Sequence, residues 1–156
     1  MTNNRRKKSG FRGWSMFPAL HHTVDALLAE DGLSFSFHND DTDLGVSKDW
    51  DTNIMGRFRC QNPKCSSGWS SKKIAITIRM YPDHRYNARV YHQRCNDCNT
   101  TCRPHVDDSY ADRVAYRLKV WLGISMTPPP HGNEKSKAPH RRDLCEGCKA
   151  GHCEEK

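Results

Sequence analysis

Apolar residues recur along this chain with two different periods. Leu20, Val24, Leu27 and Leu28 fall at i, i+4, i+7 and i+8, one face of a helix over about residues 18–30. Pro18 suits its first turn and Gly32 its end. Residues 34–37 (Ser-Phe-Ser-Phe) alternate like a short strand. Residues 38–50 are polar and acidic, with Asp40, Asp41, Asp43 and Asp49 followed by Asp51, and predict a solvated loop. They lack the residue order and closing Glu of a calcium-binding EF-hand. From 73 to 81 the period is two, with Ile74, Ile76, Ile78 and Met80 on one face. After a turn at Pro82-Asp83-His84, residues 87–94 form a returning strand with Ala88 and Val90 on the matching face. The helical period resumes over 109–122, with Tyr110, Val114, Leu118, Trp121 and Leu122 as its stripe. Asp107 or Asp108 caps this helix, Gly123 stops it, and Arg113, Arg117 and Lys119 face away from the core.

Between these elements sit three knots of cysteine. They are Cys60 with Cys65, Cys95 with Cys98, and Cys145 with Cys148 followed by Cys153. Pairs two to four residues apart on tight polar turns aim two thiolates at one tetrahedral zinc ion. The first pair precedes the outgoing strand and the second follows the returning one. An antiparallel hairpin therefore brings both to the same end, a zinc-ribbon-like site. The last segment supplies a second set in His140, Cys145, Cys148 and Cys153, spaced H-x4-C-x2-C-x4-C. A cross-braced arrangement joining the first pair to the third uses the same ligands, and His152 is an alternative to His140 or Cys153. Cys102 reads as a buried or half-buried free thiol, and His105, His21 and His22 as surface or packing residues. Phe58 and Trp69 flank the first knuckle and shield its metal. Four-thiolate sites also hold iron, with zinc the better fit. Each closed set has no open coordination position, which points to structure rather than catalysis.

The expected fold class is accordingly α+β: a small zinc-stabilised domain, a β-hairpin with zinc knuckles packed by two helices. Residues 1–14 form a basic arm, 15–123 the helix, hairpin and second helix, 124–139 a Pro-rich linker, and 140–156 the C-terminal knuckle. Two zinc ions are expected in all.

Composition narrows the setting. Of 156 residues only 35% are hydrophobic, and mean hydropathy is −0.90, lean for a fold resting on burial alone. No apolar run follows the basic N-terminus as a secretory signal would require, and no window is long and apolar enough to span a membrane. Cysteines in a reducing compartment read as metal ligands, so a cytoplasmic or nuclear protein is expected. Arg5-Arg6-Lys7-Lys8 is either a nuclear-import or phosphate-binding patch or a solvated tail. The net charge is +7 with a pI near 9.1. Seven thiolates and two zinc ions would reduce it to about +4, still basic.

With the isoleucines facing the core, Arg79, Tyr81, Arg89 and Tyr91 share the outer hairpin face with Gln93. Aromatic stacking on bases and arginine contacts to phosphate make this a candidate RNA-binding face; the alternative is an ordinary exposed sheet face. No nucleophile elbow, HExxH, Gly-rich phosphate loop or deaminase signature is present, so no enzyme and no small-molecule substrate are expected.

Residues 56–60 (Gly-Arg-Phe-Arg-Cys) with Cys65 and Gly68-Trp69-Ser70-Ser71, then Val90-Tyr91-His92-Gln93-Arg94-Cys95 with Cys98, then Pro139-His140, Leu144-Cys145-Glu146-Gly147-Cys148 and Gly151-His152-Cys153, resemble the three-CxxC zinc-finger family. That family includes the receptor-transporting and zygote-arrest proteins, and the resemblance covers about residues 17–153. It implies His140 as the eighth ligand, and two activities. The zygote-arrest branch implies RNA binding, which its Pro-His-Arg and Leu-Cys signature favours here. The receptor-transporting branch implies a protein-interaction adaptor or chaperone-like escort for a membrane protein. The first pair departs from the usual two-residue gap. Receptor-transporting proteins carry a C-terminal membrane anchor not found in this sequence, so a soluble member is expected.

Overall fold

The computed structural model describes residues 13–65 and 67–124. Most of the basic arm, the Pro-rich linker and the C-terminal knuckle, with His140, Cys145, Cys148, His152 and Cys153, lie outside the described residues.

The strands in chain order are β1 (Trp14–Ser15), β2 (Ser36–Phe37), β3 (Lys48–Arg59), β4 (Gly68–Tyr81), β5 (Arg85–Tyr91), β6 (Gln93–Arg94), β7 (Thr101–Cys102) and β8 (Pro104–Val106). Helix α1 (His21–Ala29) follows a 3-10 turn at Pro18–Leu20, and α2 is Ser109–Trp121. One curled sheet runs β1-β5-β4-β3-β8, with β2 parallel to β5, and β6 and β7 form a small second sheet.

The expected β4–β5 hairpin is present, in register from Ile76 opposite Val90 to Tyr81 opposite Arg85. Asp83 and His84 take positive φ to close its turn. The α+β expectation, a bare hairpin packed by helices, is corrected: the structure is mostly β, with 40% of the described residues in strands and 23% in helices. The largest addition is β3, which pairs with β4 along its whole length. Its sequence is period-two, placing Thr52, Ile54, Gly56 and Phe58 inward. Asp, Asn and Gly are depleted in strands, and here they mask that alternation.

The core lies on the sheet's concave face. Ile54 and Phe58 of β3, Ile74, Ile76 and Ile78 of β4, and Tyr86, Ala88 and Val90 of β5 pack against Val24 and Leu28 of α1 and Tyr110, Val114 and Leu118 of α2. Lys119 is buried and reaches Asp31 at 2.6 Å, tying α2 to the end of α1.

Helix α2 also covers the edge of β3. Ser109 Oγ accepts from the Met55 amide at 2.8 Å, Arg113 Nη1 donates to the Asn53 carbonyl at 2.6 Å, and the Arg117 guanidinium lies 3.8 Å from the Trp50 ring centre. These residues recur every four positions, so one helix row follows the strand. Arg113, expected to face away, is instead buried and donates to a carbonyl on the edge of β3. Past Ile54 the β3–β4 register shifts, and β8 closes on β3 at Gly56. A Cβ there would stand 2.5 Å from the His105 carbonyl oxygen, so only glycine admits β8.

Candidate metal centre

The strand ends deliver the first four cysteines to one place. Cys60 follows β3, Cys65 ends the knuckle before β4, and Cys95 and Cys98 lie between β6 and β7. The four sulfur atoms all lie within 4.8 Å of one another, with Cys60 to Cys98 at 3.4 Å and Cys65 to Cys95 at 3.6 Å. Tetrahedral zinc with Zn–S near 2.3 Å spaces its sulfurs roughly 3.8 Å apart, so the set fits a zinc ion. The first pair is thus brought to the second.

Local hydrogen bonds shape each knuckle. In the first, the Lys64 amide donates to Asn62 Oδ1 at 3.1 Å and the Cys65 amide to the Asn62 carbonyl at 2.9 Å. This Asx turn absorbs the four-residue gap. The Cys60 amide donates to the Ser67 carbonyl at 2.7 Å, closing the loop. In the second, Cys95 and Thr100 are bridged at 2.8 Å and Asn99 takes a positive φ. The Ser67 hydroxyl donates to the Asp97 carboxylate, linking one knuckle to the other.

The thiols are electrostatically unequal. Hydrogen bonding with the Thr100 side chain, 3.1 Å away, and with the Thr100 backbone holds the Cys98 thiol down to about 6. Burial pushes the Cys60 thiol up. A dication shared by all four would stabilise every thiolate at once. Phe58 and Trp69 stack at 5.0 Å and pack in the same cluster as the cysteines, as expected of a shield. Cys102 is a fully buried free thiol outside the four.

The candidate RNA face is corrected. Arg79, Tyr81 and Tyr91 are buried and Arg89 is half-buried, because the acidic segment read as a solvated loop folds over Arg79, Tyr81 and Arg89 and Trp14 covers Tyr91. Asp41 Oδ1 accepts from Arg79 Nη2 and Arg89 Nε, both at 2.7 Å, and Asp41 Oδ2 from Trp14 Nε1 at 2.7 Å. Asp43 takes Arg79 Nη1 at 3.1 Å. The Tyr81 hydroxyl donates to the Thr42 carbonyl at 2.5 Å, and Asn87 Nδ2 to the carbonyls of His38 and Asp40 at 3.0 and 3.1 Å. Trp14 packs edge-on against Tyr91 and under the Arg89 guanidinium. Burial raises the Asp41 carboxyl, but the Trp14, Arg89 and Arg79 hydrogen bonds and the Arg89 charge outweigh it, holding the group at about 2. These side chains are a structural clasp and offer no stacking surface. Asp41, Ser67, Asp97 and Thr100 were not singled out from the sequence. Asp41 had a signal, since two arginines on one face of the hairpin need counter-charges and Asp41-Thr42-Asp43 supplies two.

Among the described residues no helix is long and apolar enough to cross a membrane. A zinc-ribbon family model of the 3CxxC type, described as a zinc-binding domain, matches residues 53–151. Receptor-transporting protein 4 of Mus musculus is 28% identical over an alignment of 156 residues, covering 85% of this chain. The chain spans 62% of that relative's length. No solved structure matches. The matched span takes in all seven cysteines of the three knots except Cys153, and four of them converge in space; the chain belongs to the 3CxxC family of zinc-ribbon domains.

Proposed function

We propose that this chain is a non-enzymatic, zinc-stabilised adaptor that binds a protein partner in the cytoplasm or nucleus. The observation that carries the reading is the convergence of Cys60, Cys65, Cys95 and Cys98 into a closed four-thiol set at the end of the sheet. Such a set leaves no position open for substrate, and its contribution is folding free energy. The similarity to a protein named for receptor transport supports a protein partner, and a membrane receptor in transit is the specific form we carry over. The RNA reading loses its support with the burial of Arg79, Tyr81 and Tyr91. A second zinc at His140, Cys145, Cys148 and Cys153 would complete one domain over about residues 17–153.

Native mass spectrometry of the full chain tests the metal content. Two zinc ions are expected, falling to one when Cys60 and Cys95 are both replaced by serine; a single ion in the unaltered protein refutes the second site. In-cell crosslinking with and without ribonuclease tests the partner class. Protein crosslinks that survive ribonuclease and disappear in the double cysteine variant are expected. Crosslinks to RNA alone refute the adaptor reading.

A further inference from the structure

We infer that the open half of the sheet's outer face, built on Arg57, Arg59 and His105, docks an extended acidic segment of a partner protein with carboxylates on alternate residues, of the form Asp-x-Asp. This rests on the adaptor reading and names the partner's chemistry. The molecule already contains one such contact. On the other half of the face, Asp41 and Asp43, two residues apart in one loop, are held by Arg79 and Arg89. That half is occupied by the chain itself; among the described residues none pairs with the arginines of the half nearer the thiols.

The open half offers a second pair of arginines, here along one strand rather than across β4 and β5. Arg57 and Arg59 alternate with inward-facing Phe58, so both project outward and both are exposed. Neither has a carboxylate partner among the described residues. Alternate residues of an extended chain lie roughly 6.5–7 Å apart, on β3 and on any peptide lying along it. The cross-strand neighbours of Arg57 and Arg59 on β4 are Ser70 and Gly68, so the floor beside the arginines is low and exposed. On the other side His105 of β8 stands in register with Arg57 and is exposed.

Charge and composition agree on the occupant. Residues 56–73 and 92–106 carry seven Lys or Arg against one Asp. A zinc ion on four thiolates would subtract two charges and leave this end strongly basic. Neither aromatic of this half, Phe58 or Trp69, is exposed, and they stack on each other. Unpaired bases therefore find arginine but no stacking platform, whereas carboxylates need only the arginines.

Fluorescence anisotropy with the zinc-loaded full chain tests this. The probes are a short labelled peptide of alternating Asp and Ser, its Asn-for-Asp analogue, an isomer with its Asp residues consecutive, and a short single-stranded RNA of mixed sequence. Saturable binding of the alternating peptide is expected, weaker binding of the consecutive isomer, and none of the Asn analogue. The combined Arg57→Glu and Arg59→Glu variant should weaken the alternating peptide by at least about tenfold while zinc content and thermal midpoint stay as in the unaltered protein. A conservative Arg57→Gln and Arg59→Gln pair, free of like-charge strain, should lose less, about three- to tenfold. Equal binding by both variants overturns the surface, as does RNA displacing the peptide at lower concentration. Crosslinking separates this failure from failure of the adaptor reading. Ribonuclease-resistant protein crosslinks retained by the Glu variant reject the surface alone, and their absence from the unaltered protein rejects the reading beneath it.

Discussion

Replacing Asp41 by Asn should remove about 3 kcal/mol of stability, and two independent routes give that size. Asp41 is 10% exposed and its partner Arg79 only 2%. Removing one member of a buried ion pair costs about 3–5 kcal/mol, because the remaining charge stays desolvated. Asp43 remains 3.1 Å from Arg79, which lowers the figure, but Asp43 is 81% exposed and screened by water. The second route is linkage. The Asp41 carboxyl falls from its ordinary 3.8 to about 2, equivalent to roughly 2.5 kcal/mol between its protonated and ionised forms. Because the folded value is depressed, the contribution is complete at pH 7 and is lost as pH falls from about 4 toward 2. Urea unfolding of zinc-loaded protein at pH 7, followed by tryptophan fluorescence, measures the difference directly. The two proteins should then converge as pH falls through that window; zinc leaves the thiols of both, so only their difference is read. A variant within about 0.5 kcal/mol of the unaltered protein at pH 7, the size of an ordinary surface change, would refute the clasp.

Two further substitutions probe the edge of β3. Gly56→Ala places a methyl group 2.5 Å from the His105 carbonyl oxygen, and should cost about 1–3 kcal/mol in urea unfolding as β8 is pushed from the sheet. Arg113→Ala removes a buried side chain and its 2.6 Å bond to the Asn53 carbonyl and should cost about 1–3 kcal/mol, whereas Asp112→Ala, on the exposed side of the same helix, should change stability by less than about 0.5 kcal/mol.

What the sequence disclosed and what it withheld follow one division. The β4–β5 hairpin was legible because Ile74, Ile76 and Ile78 alternate without interruption, and the thiol cluster because Cys60, Cys65, Cys95 and Cys98 flank that hairpin. Both are short-range patterns. Strand β3 was hidden because its partners lie far along the chain: Trp50 meets Ile78 and Asp51 bonds Thr77. Its outward Asp and Asn residues resemble loop residues until the opposing strand is in place. The same blindness turned Arg79 and Tyr91 into an open face, because the counter-charge Asp41 lies 38 residues from Arg79 and belongs to a segment with no periodicity of its own. Burial of both faces of β4 is a property of the assembled sheet, and no window along the chain contains it.

The two halves of the outer face should depend differently on zinc. The Asp41 half stands over a core of isoleucine, tyrosine and helix contacts. At the other end, β6 and β7 are two residues each and β8 three, too little paired surface to hold themselves. Their anchorage is the thiol set and the Ser67–Asp97 link. Zinc at such a site contributes about 10–16 kcal/mol of apparent folding free energy, comparable with the stability of a whole domain. Metal loss should therefore release the end bearing Arg57, Arg59 and His105 first and leave the hairpin standing. Hydrogen exchange before and after chelation measures this residue by residue. Amides at 56–60, 68–71 and 93–106 should lose protection by at least about a hundredfold, while those at 76–80 and 86–90 lose less than about tenfold, since the latter open only with the core. Uniform loss across both sets would mean that the metal holds the entire fold, and that the clasp of Asp41 on Arg79 cannot sustain its half alone.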